Sequence, residues 1–221
     1  TGSCIPDIAK KNSDFLKNKF LDTDGGKFQS SNSEIIDKFN SITGIFERRY
    51  APDEINCSDL AAVAAGLAIN DSKLDQETLD YIIVAHNTGD ISCSSGQVDT
   101  LPSVASKVKA KLKIKNPNCV AYDIICGCPG WVEGIIQAKS FIKSGMAEKC
   151  LVIGCDTLSR ILDENDRDSM IYADGSGAIV LESDSSYDGG ILSHKSATFT
   201  YDGENDFIFY GTSYDTRKRT K

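Results

Sequence analysis

Two hydrophobic periods alternate along the chain. Tyr81–Ala85 is an unbroken apolar, β-branched run, which predicts a strand covered on both faces. Runs of the same kind predict strands over 119–125 (CVAYDII), 149–158 (KCLVIGCDTL) and 177–183 (GAIVLES). Helical spacing separates them. The segment Ser33–Asn40 predicts a short helix capped by Ser33, with Ile35, Ile36 and Phe39 on one face, broken by Thr43-Gly44. Ser58–Asn70 (SDLAAVAAGLAIN) has Asp59 in its first turn and is apolar nearly all round, so it predicts a buried helix. A further helix is expected over Ser103–Leu112. PGWVEGIIQAKSFIKSG (129–145) predicts another, with Pro129 at its first position, Gly145 as its stop, and Trp131, Val132, Ile135, Ile136 and Ile142 as its apolar surface. Asp22–Gly26 reads as a turn cluster. Strands alternating with such helices predict an α/β layered sheet. Beyond Asp184 the apolar density falls and the sequence ends RKRTK, so residues 1–183 read as the folded body and 184–221 as a connection toward something further.

A chain of 221 residues fits one large domain or two small ones, and can bury roughly 70% of its unfolded surface without staples. Its 32 acidic against 24 basic side chains give a formal charge of −8, a field that repels phosphate backbones, so no nucleic-acid partner is expected. Apolar runs such as Tyr81–Ala85 are far too short to span a bilayer, so no membrane partner is expected, and no charged-then-apolar leader opens the chain, so no signal peptide is read. The eight cysteines lie largely in apolar runs, where a reduced thiol is a small hydrophobe. The core needs no disulfide framework, which reads as a reducing cytoplasm. With two histidines and no C-x2-C pair, no metal site is expected.

Candidate chemistry concentrates in Asp123–Trp131, DIICGCPGW. A strand runs into Gly127, then Cys128, then Pro129 opening a helix. That places a thiol at a helix N-terminus, where unpaired N–H groups and the dipole favour thiolate. Gly127 and Gly130 let a substrate approach the backbone, and the N–H of Cys128 is a candidate oxyanion donor. Cys119, Cys126, Cys150 and Cys155 read as inert core thiols. Arg167 is a candidate for an anionic ligand, against the plainer reading that it balances Asp163, Glu164, Asp166 and Asp168. Asp174–Gly177 reads as a tight turn into a strand and lacks the spacing of a phosphate cradle. Lys107, Lys109, Lys111, Lys113 and Lys115 read as a solvated face, with docking of an acidic partner as the weaker reading. His86 and His194 each read as structural.

Four stretches in order resemble the N-terminal half of the β-ketoacyl-acyl carrier protein synthase III family, condensing enzymes of the thiolase superfamily. They are TGSCIP at the start, TGIFERRYAPDE (43–54), AYDIICGCPGW (121–131) and DRDSMIYADGSGAIVL (166–181). The resemblance implies a thiolase-like fold: one half of a duplicated α/β architecture, a layered mixed sheet with helices on both faces. It implies an acyltransferase that takes an acyl group from acyl-coenzyme A, or from an acyl-carrier protein, onto a cysteine. The decarboxylated carbanion of malonyl-acyl carrier protein then attacks that thioester, as in fatty acid biosynthesis. Cys128 falls on the family's active cysteine and Arg167 on an arginine that contacts coenzyme A. Leu101 falls on a phenylalanine that walls the primer pocket across a homodimer interface. No cofactor is implied beyond the coenzyme A thioester used as substrate.

The departures bear on the substrate. The family's catalytic His and Asn lie in a C-terminal half that these 221 residues lack, and neither His86 nor His194 falls on that His. The chain therefore reads as a fragment of a polypeptide of ~300 or more residues. Lys38 and Ile42 stand where the family commonly has the coenzyme A-binding Trp and Arg, and Pro129 replaces the usual Ala after the nucleophile. With the smaller Leu101, these point to a primer other than acetyl. Three alternatives stay open: a related synthase of specialised lipid or polyketide synthesis, a non-catalytic partner subunit, and a redox or metal module using Cys126 and Cys128.

Overall fold

Ile82, Ile83 and Val84 admit no water at all, and they fix the centre of the architecture. In the computed structural model, which describes residues 1–184, 186, 190–203 and 214–215, the chain divides into two compact units. The first comprises Thr1–Lys11, 47–161 and the described residues from Tyr172 to 186; the second comprises Asn12–Phe46, 162–171 and the described residues beyond 188. Much of the predicted connection over 184–221 lies outside the described residues.

In chain order, the strands of the first unit are β1 (Gly2–Cys4), β2 (Ile8–Lys11), β3 (Glu47–Tyr50), β4 (Tyr81–His86), β5 (Asp90–Ile91), β6 (Val98–Asp99), β7 (Val120–Ile125), β8 (Lys149–Thr157) and β9 (Asp174–Glu182). The second unit holds helix α1 (Asn32–Thr43), and the first holds α2 (Cys57–Ser72), α3 (Val104–Lys111) and α4 (Gly130–Lys143). A five-stranded sheet has the order β1-β9-β8-β4-β7. β4 pairs in parallel with both β7 and β8, whereas β9 runs antiparallel to β8 and to β1, so the sheet is mixed. β2 with β3, and β5 with β6, form separate antiparallel pairs.

Successive strand residues point to opposite faces, and the two cores divide accordingly. Ile82, Val84, Leu151 and Ile153 pack with Ala61, Ala64, Val104 and Val108 of α2 and α3. Ile83, Cys150 and Val152 pack with Ala138 of α4 on the other face. Helices therefore cover both faces of the sheet, as read from the sequence. Burying each such Val or Ile is worth roughly 1.5–3 kcal/mol.

The helices start where capping chemistry permits. Asp59 Oδ2 accepts the Asn56 N–H at 2.9 Å at the head of α2, one residue earlier than the Ser58 start expected. Val63 and Leu67 remain half exposed, so α2 is not buried all round. Ser103 Oγ accepts the Ser106 N–H at 3.1 Å at the head of α3. The apolar surface expected for α4 packs only in part: Ile135 and Ile142 lie against the Ile83, Cys150 and Val152 core. The buried positions of α4 are Gly130, Gly134 and Ala138, while Val132 is half exposed. A Cβ on Gly134 would stand 2.9 Å from Val152 Cγ1, so the helix seats on the sheet through its small residues. Asp174–Gly177 is likewise not a turn. It is paired strand, with Asp174 opposite Thr157 and Gly177 opposite Gly154.

The second unit packs Phe15, Phe20, Met170 and the expected Ile35, Ile36 and Phe39 of α1. Its cap is Ser31 rather than Ser33. Ser31 N–H donates to Glu34 Oε2 at 2.7 Å, and Glu34 N–H donates back to Ser31 Oγ at 3.3 Å, which forms a capping box. Gly44, at φ 68°, closes the helix by donating to Asn40 O. Asp22 Oδ1 accepts from the N–H groups of Asp24 and Gly26, the turn expected there.

Candidate active site

The nucleophile segment forms because an apolar strand meets residues that cannot extend it. β7 ends at Ile125, Gly127 takes a left-handed φ of 65°, and Pro129 occupies the N-cap of α4. Gly130 N–H donates to Gly127 O at 3.0 Å, which closes the turn. Proline offers no side-chain acceptor, and no side chain caps the first turn. Cys128 thus stands directly before the first turn of α4, exposed at its head.

Cys128 is exposed and lines a cavity of about 280 Å³ contained in the first unit. Trp131 of α4, Gly154, Cys155 and Asp156 of β8, and Leu158 form other walls. The volume is near the lower end of ordinary small-ligand sites, roughly 300–1,000 Å³. A Cβ on Gly154 would lie 3.2 Å from Trp131 Cδ1, so glycine there makes room for the indole against β8.

Side-chain pairs brace the carboxyl ends of the three parallel strands. Asp123 of β7 accepts the Val104 and Ala105 N–H groups at 2.7 and 2.8 Å, at the head of α3. His86 is fully buried. Gly89 N–H donates to its Nδ1 at 2.9 Å, so Nε2 carries the proton shared with Asp123 Oδ2 at 3.0 Å. Burial pushes the Asp123 carboxyl up, yet the bonds from His86, Ala105 and Val104 outweigh it and hold the group below the ordinary carboxylate range. Asp156 of β8 accepts the backbone N–H of Asn87 at 2.9 Å and its Nδ2 at 2.7 Å. There burial prevails, and the carboxyl is held above its ordinary range.

The expected site residues are distributed as follows. Cys128 lines the cavity. Leu101 belongs to the same unit but is 84% exposed and does not line it. Arg167 belongs to the second unit, exposed, with its guanidinium 5.0 Å over the Phe28 ring and Nε 3.7 Å from Asp168 Oδ1. Cys119, Cys150 and Cys155 are buried as expected, but Cys126 is exposed, because the strand has already left the sheet at that point. Cys57 and Cys155 place their sulfurs 3.0 Å apart as buried free thiols, and the Cys155 contact together with burial pushes the Cys57 thiol well up. The lysine stripe is largely committed within the chain. Lys107 bridges Asp90 and Asp99, Lys109 donates to Asn116 O and Cys119 O, and Lys111 pairs with Asp59.

The family model described as 3-oxoacyl-[acyl-carrier-protein] synthase III matches residues 122–199. The β-ketoacyl-[acyl-carrier-protein] synthase III of Ehrlichia canis is 40% identical over 179 residues, covering 78% of this chain and 51% of that protein. That of Neisseria gonorrhoeae is 44% identical over 140 residues, covering 63% and 41%. The crystal structure of the Aquifex aeolicus synthase III matches with a TM-score of 0.65 at 33% identity, over 83% of this chain and 52% of that one. The chain is synthase III-like.

Its fold is accordingly thiolase-like. The Pseudomonas aeruginosa enzyme superposes with a TM-score of 0.67 at 28% identity, over 87% of this chain and 52% of that one. The synthase III-like chain spans about half the length of the curated relatives it matches. Among the described residues, no helix is long and apolar enough to cross a membrane. Asn87 and Asp156 escaped the sequence reading. The available signal was a carboxylate at the carboxyl end of a buried strand, where open α/β sheets place ligands.

Proposed function

We propose that this chain supplies the nucleophile of a decarboxylating β-ketoacyl-acyl carrier protein synthase of the synthase III type. The observation that carries the reading is Cys128, exposed on a strand-to-helix turn and lining a cavity within its own unit. Cys128 Sγ attacks the thioester carbonyl of an acyl-coenzyme A or acyl-carrier protein. The Cys128 N–H and the first-turn amides stabilise the oxyanion. Collapse breaks the carbonyl–sulfur bond of the donor, whose thiol leaves with the proton and leaves acyl-Cys128. Malonyl-acyl carrier protein then loses CO2. The resulting carbanion attacks the acyl-Cys128 carbonyl, forming the carbon–carbon bond and returning the cysteine thiolate. The His and Asn that assist decarboxylation lie outside these 221 residues on this reading.

The same reading makes the protein a cytoplasmic homodimer in fatty acid biosynthesis that needs no cofactor beyond its thioester substrates. Free thiols at all eight cysteines are in keeping with a reducing compartment. Leu101, strongly exposed, is the residue offered to a partner's primer pocket, and Arg167 is the coenzyme A contact. A primer other than acetyl follows from Leu101, Lys38 and Ile42. Retention of Cys128 favours the catalytic reading over a non-catalytic subunit. The test is intact-mass analysis of the full-length protein with acyl-coenzymes A of graded length. The wild type gains one acyl mass and Cys128→Ala, folded, gains none. Acylation persisting in the variant assigns the nucleophile elsewhere, and a sharp preference for acetyl-coenzyme A rejects the primer assignment.

A further inference from the structure

The Gly127–Cys128 turn lacks side-chain bracing of its own: Gly127 has no side chain, and Pro129 forms no cap hydrogen bond. The turn closes on one backbone bond, Gly130 N–H to Gly127 O, and side-chain support can come to it only from a neighbouring strand. β4 and β8 run parallel with Ala85 opposite Gly154, so the residues that follow, Asn87 after β4 and Asp156 near the end of β8, arrive at one level. They meet through two bonds, Asn87 N–H to Asp156 Oδ1 at 2.9 Å and Asn87 Nδ2 to Asp156 Oδ2 at 2.7 Å. These fix which way the Asn87 amide faces. Its remaining polar atom, Oδ1, borders the space beside Gly127, 3.8 Å from the position a Cβ would take there. Asp156 also lines the Cys128 cavity.

We propose that Asn87 and Asp156 act together as positioning residues for the nucleophile: the carboxylate fixes the Asn87 amide, and the amide holds the turn that sets Cys128. This rests on Cys128 being the acyl-accepting thiol. The arrangement has an electrostatic side. A carboxylate sharing the cavity opposes a thiolate there by like charge. Asp156 is faced by His86 and Asp174; burial, with Asp174 adding to it, opposes its ionised form. Replacing Asp156 by Asn keeps the shape, removes that charge and sets an NH2 against one of the two Asn87 donors.

The test uses full-length wild type, Asp156→Asn and Asn87→Ala. Readouts are kcat and KM with an acyl-coenzyme A, thermal midpoint, and the rate of iodoacetamide modification at Cys128 against pH, followed on the Cys128 peptide. Both folded variants are expected to lose about ten-fold or more in kcat with KM within about two-fold, as for a nucleophile displaced by less than an ångström. Asp156→Asn alone moves the alkylation midpoint to lower pH. A folded Asp156→Asn with wild-type kcat, or with an unmoved midpoint, overturns the proposal, as does wild-type kcat in Asn87→Ala. Should Asp156→Asn not fold, Asn87→Asp decides: it must lower kcat and raise the midpoint, and an unmoved midpoint overturns the proposal. Failure of the wild type to acylate at Cys128 sinks the functional reading instead. Normal wild-type acylation with unaffected variants sinks only this pair.

Discussion

Gly134→Ala tests how the nucleophile helix is seated. Position 134 is inside α4, where Ala improves intrinsic helix stability by roughly 0.5–1 kcal/mol over Gly. The new Cβ would stand 2.9 Å from Val152 Cγ1, 3.5 Å from Ile83 Cγ2 and 3.8 Å from Ile124 Cδ1. Carbon–carbon contacts settle near 3.5–4.0 Å, so either α4 lifts from the sheet or Val152 leaves its rotamer. Such overpacking costs about 1–3 kcal/mol. The net expectation is a loss of about 0.5–2 kcal/mol, which lowers the melting temperature by roughly a few degrees in a domain of this size. Urea titration and thermal melts of Gly134→Ala, Val152→Ala and the double variant measure it. In the double variant the alanine methyl occupies space vacated by the valine, so the cycle should show a favourable coupling of about 0.5 kcal/mol or more. A single variant as stable as wild type, or a cycle with no coupling, refutes this seating. Because α4 begins directly after the Cys128 turn, a lifted helix also slows acylation.

The remaining predictions concern the strand ends and the thiols. Asp123→Asn should cost about 2 kcal/mol at neutral pH, because it sets an NH2 where the Val104 and Ala105 amides and His86 converge on a carboxylate. The Asp123 carboxyl is held low in the fold, so its contribution is full above the unfolded value of about 3.9 and fades as pH falls through the folded one. Chemical denaturation from pH 7 to pH 3 should therefore show the gap between wild type and variant narrowing toward the acid end; a gap constant across that range rejects the assignment. Alkylation of the native protein, mapped by peptide mass, should modify Cys93, Cys126 and Cys128 while Cys57, Cys119, Cys150 and Cys155 react only after unfolding, in line with their exposure. Early modification of Cys57 or Cys155 contradicts their burial between α2 and the sheet.

The sheet and its helices were legible wherever hydrophobic period and length agreed. Tyr81–Ala85 announces a central strand because a strand covered on both faces must be apolar at every position. The packed face of α4 was legible only in part: Ile135 and Ile142 do pack against the sheet, but period reports hydrophobicity while the closest packing follows shape. Trp131, Val132 and Ile136 outweigh Gly130, Gly134 and Ala138 on any hydrophobic scale, yet the small residues let the helix approach β4 and β8. Asp174–Gly177 misled for the opposite reason: two glycines and an aspartate look like a turn, but Asp174 is held by the Ala51 and Ser159 amides and the Ser159 hydroxyl inside a paired strand.

The site divides along the same line. Cys128 was legible because everything that presents it is local: strand, glycine, thiol and proline within a few residues. The Asn87–Asp156 pair was not, because its members are 69 residues apart and meet only once the parallel register of β4 and β8 is known. Neither looks unusual alone. An asparagine after a strand resembles a turn residue, and Asp156 is one polar position inside the run expected as a strand over 149–158. Register converts the two into a braced amide beneath the nucleophile turn. Thus a one-residue slip of β8 against β4, which flips every side chain of the slipped strand to the other face, would remove that brace and exchange the two cores at once. The same pairing that buries Leu151 and Ile153 under α2 and α3 is what brings Asp156 to Asn87.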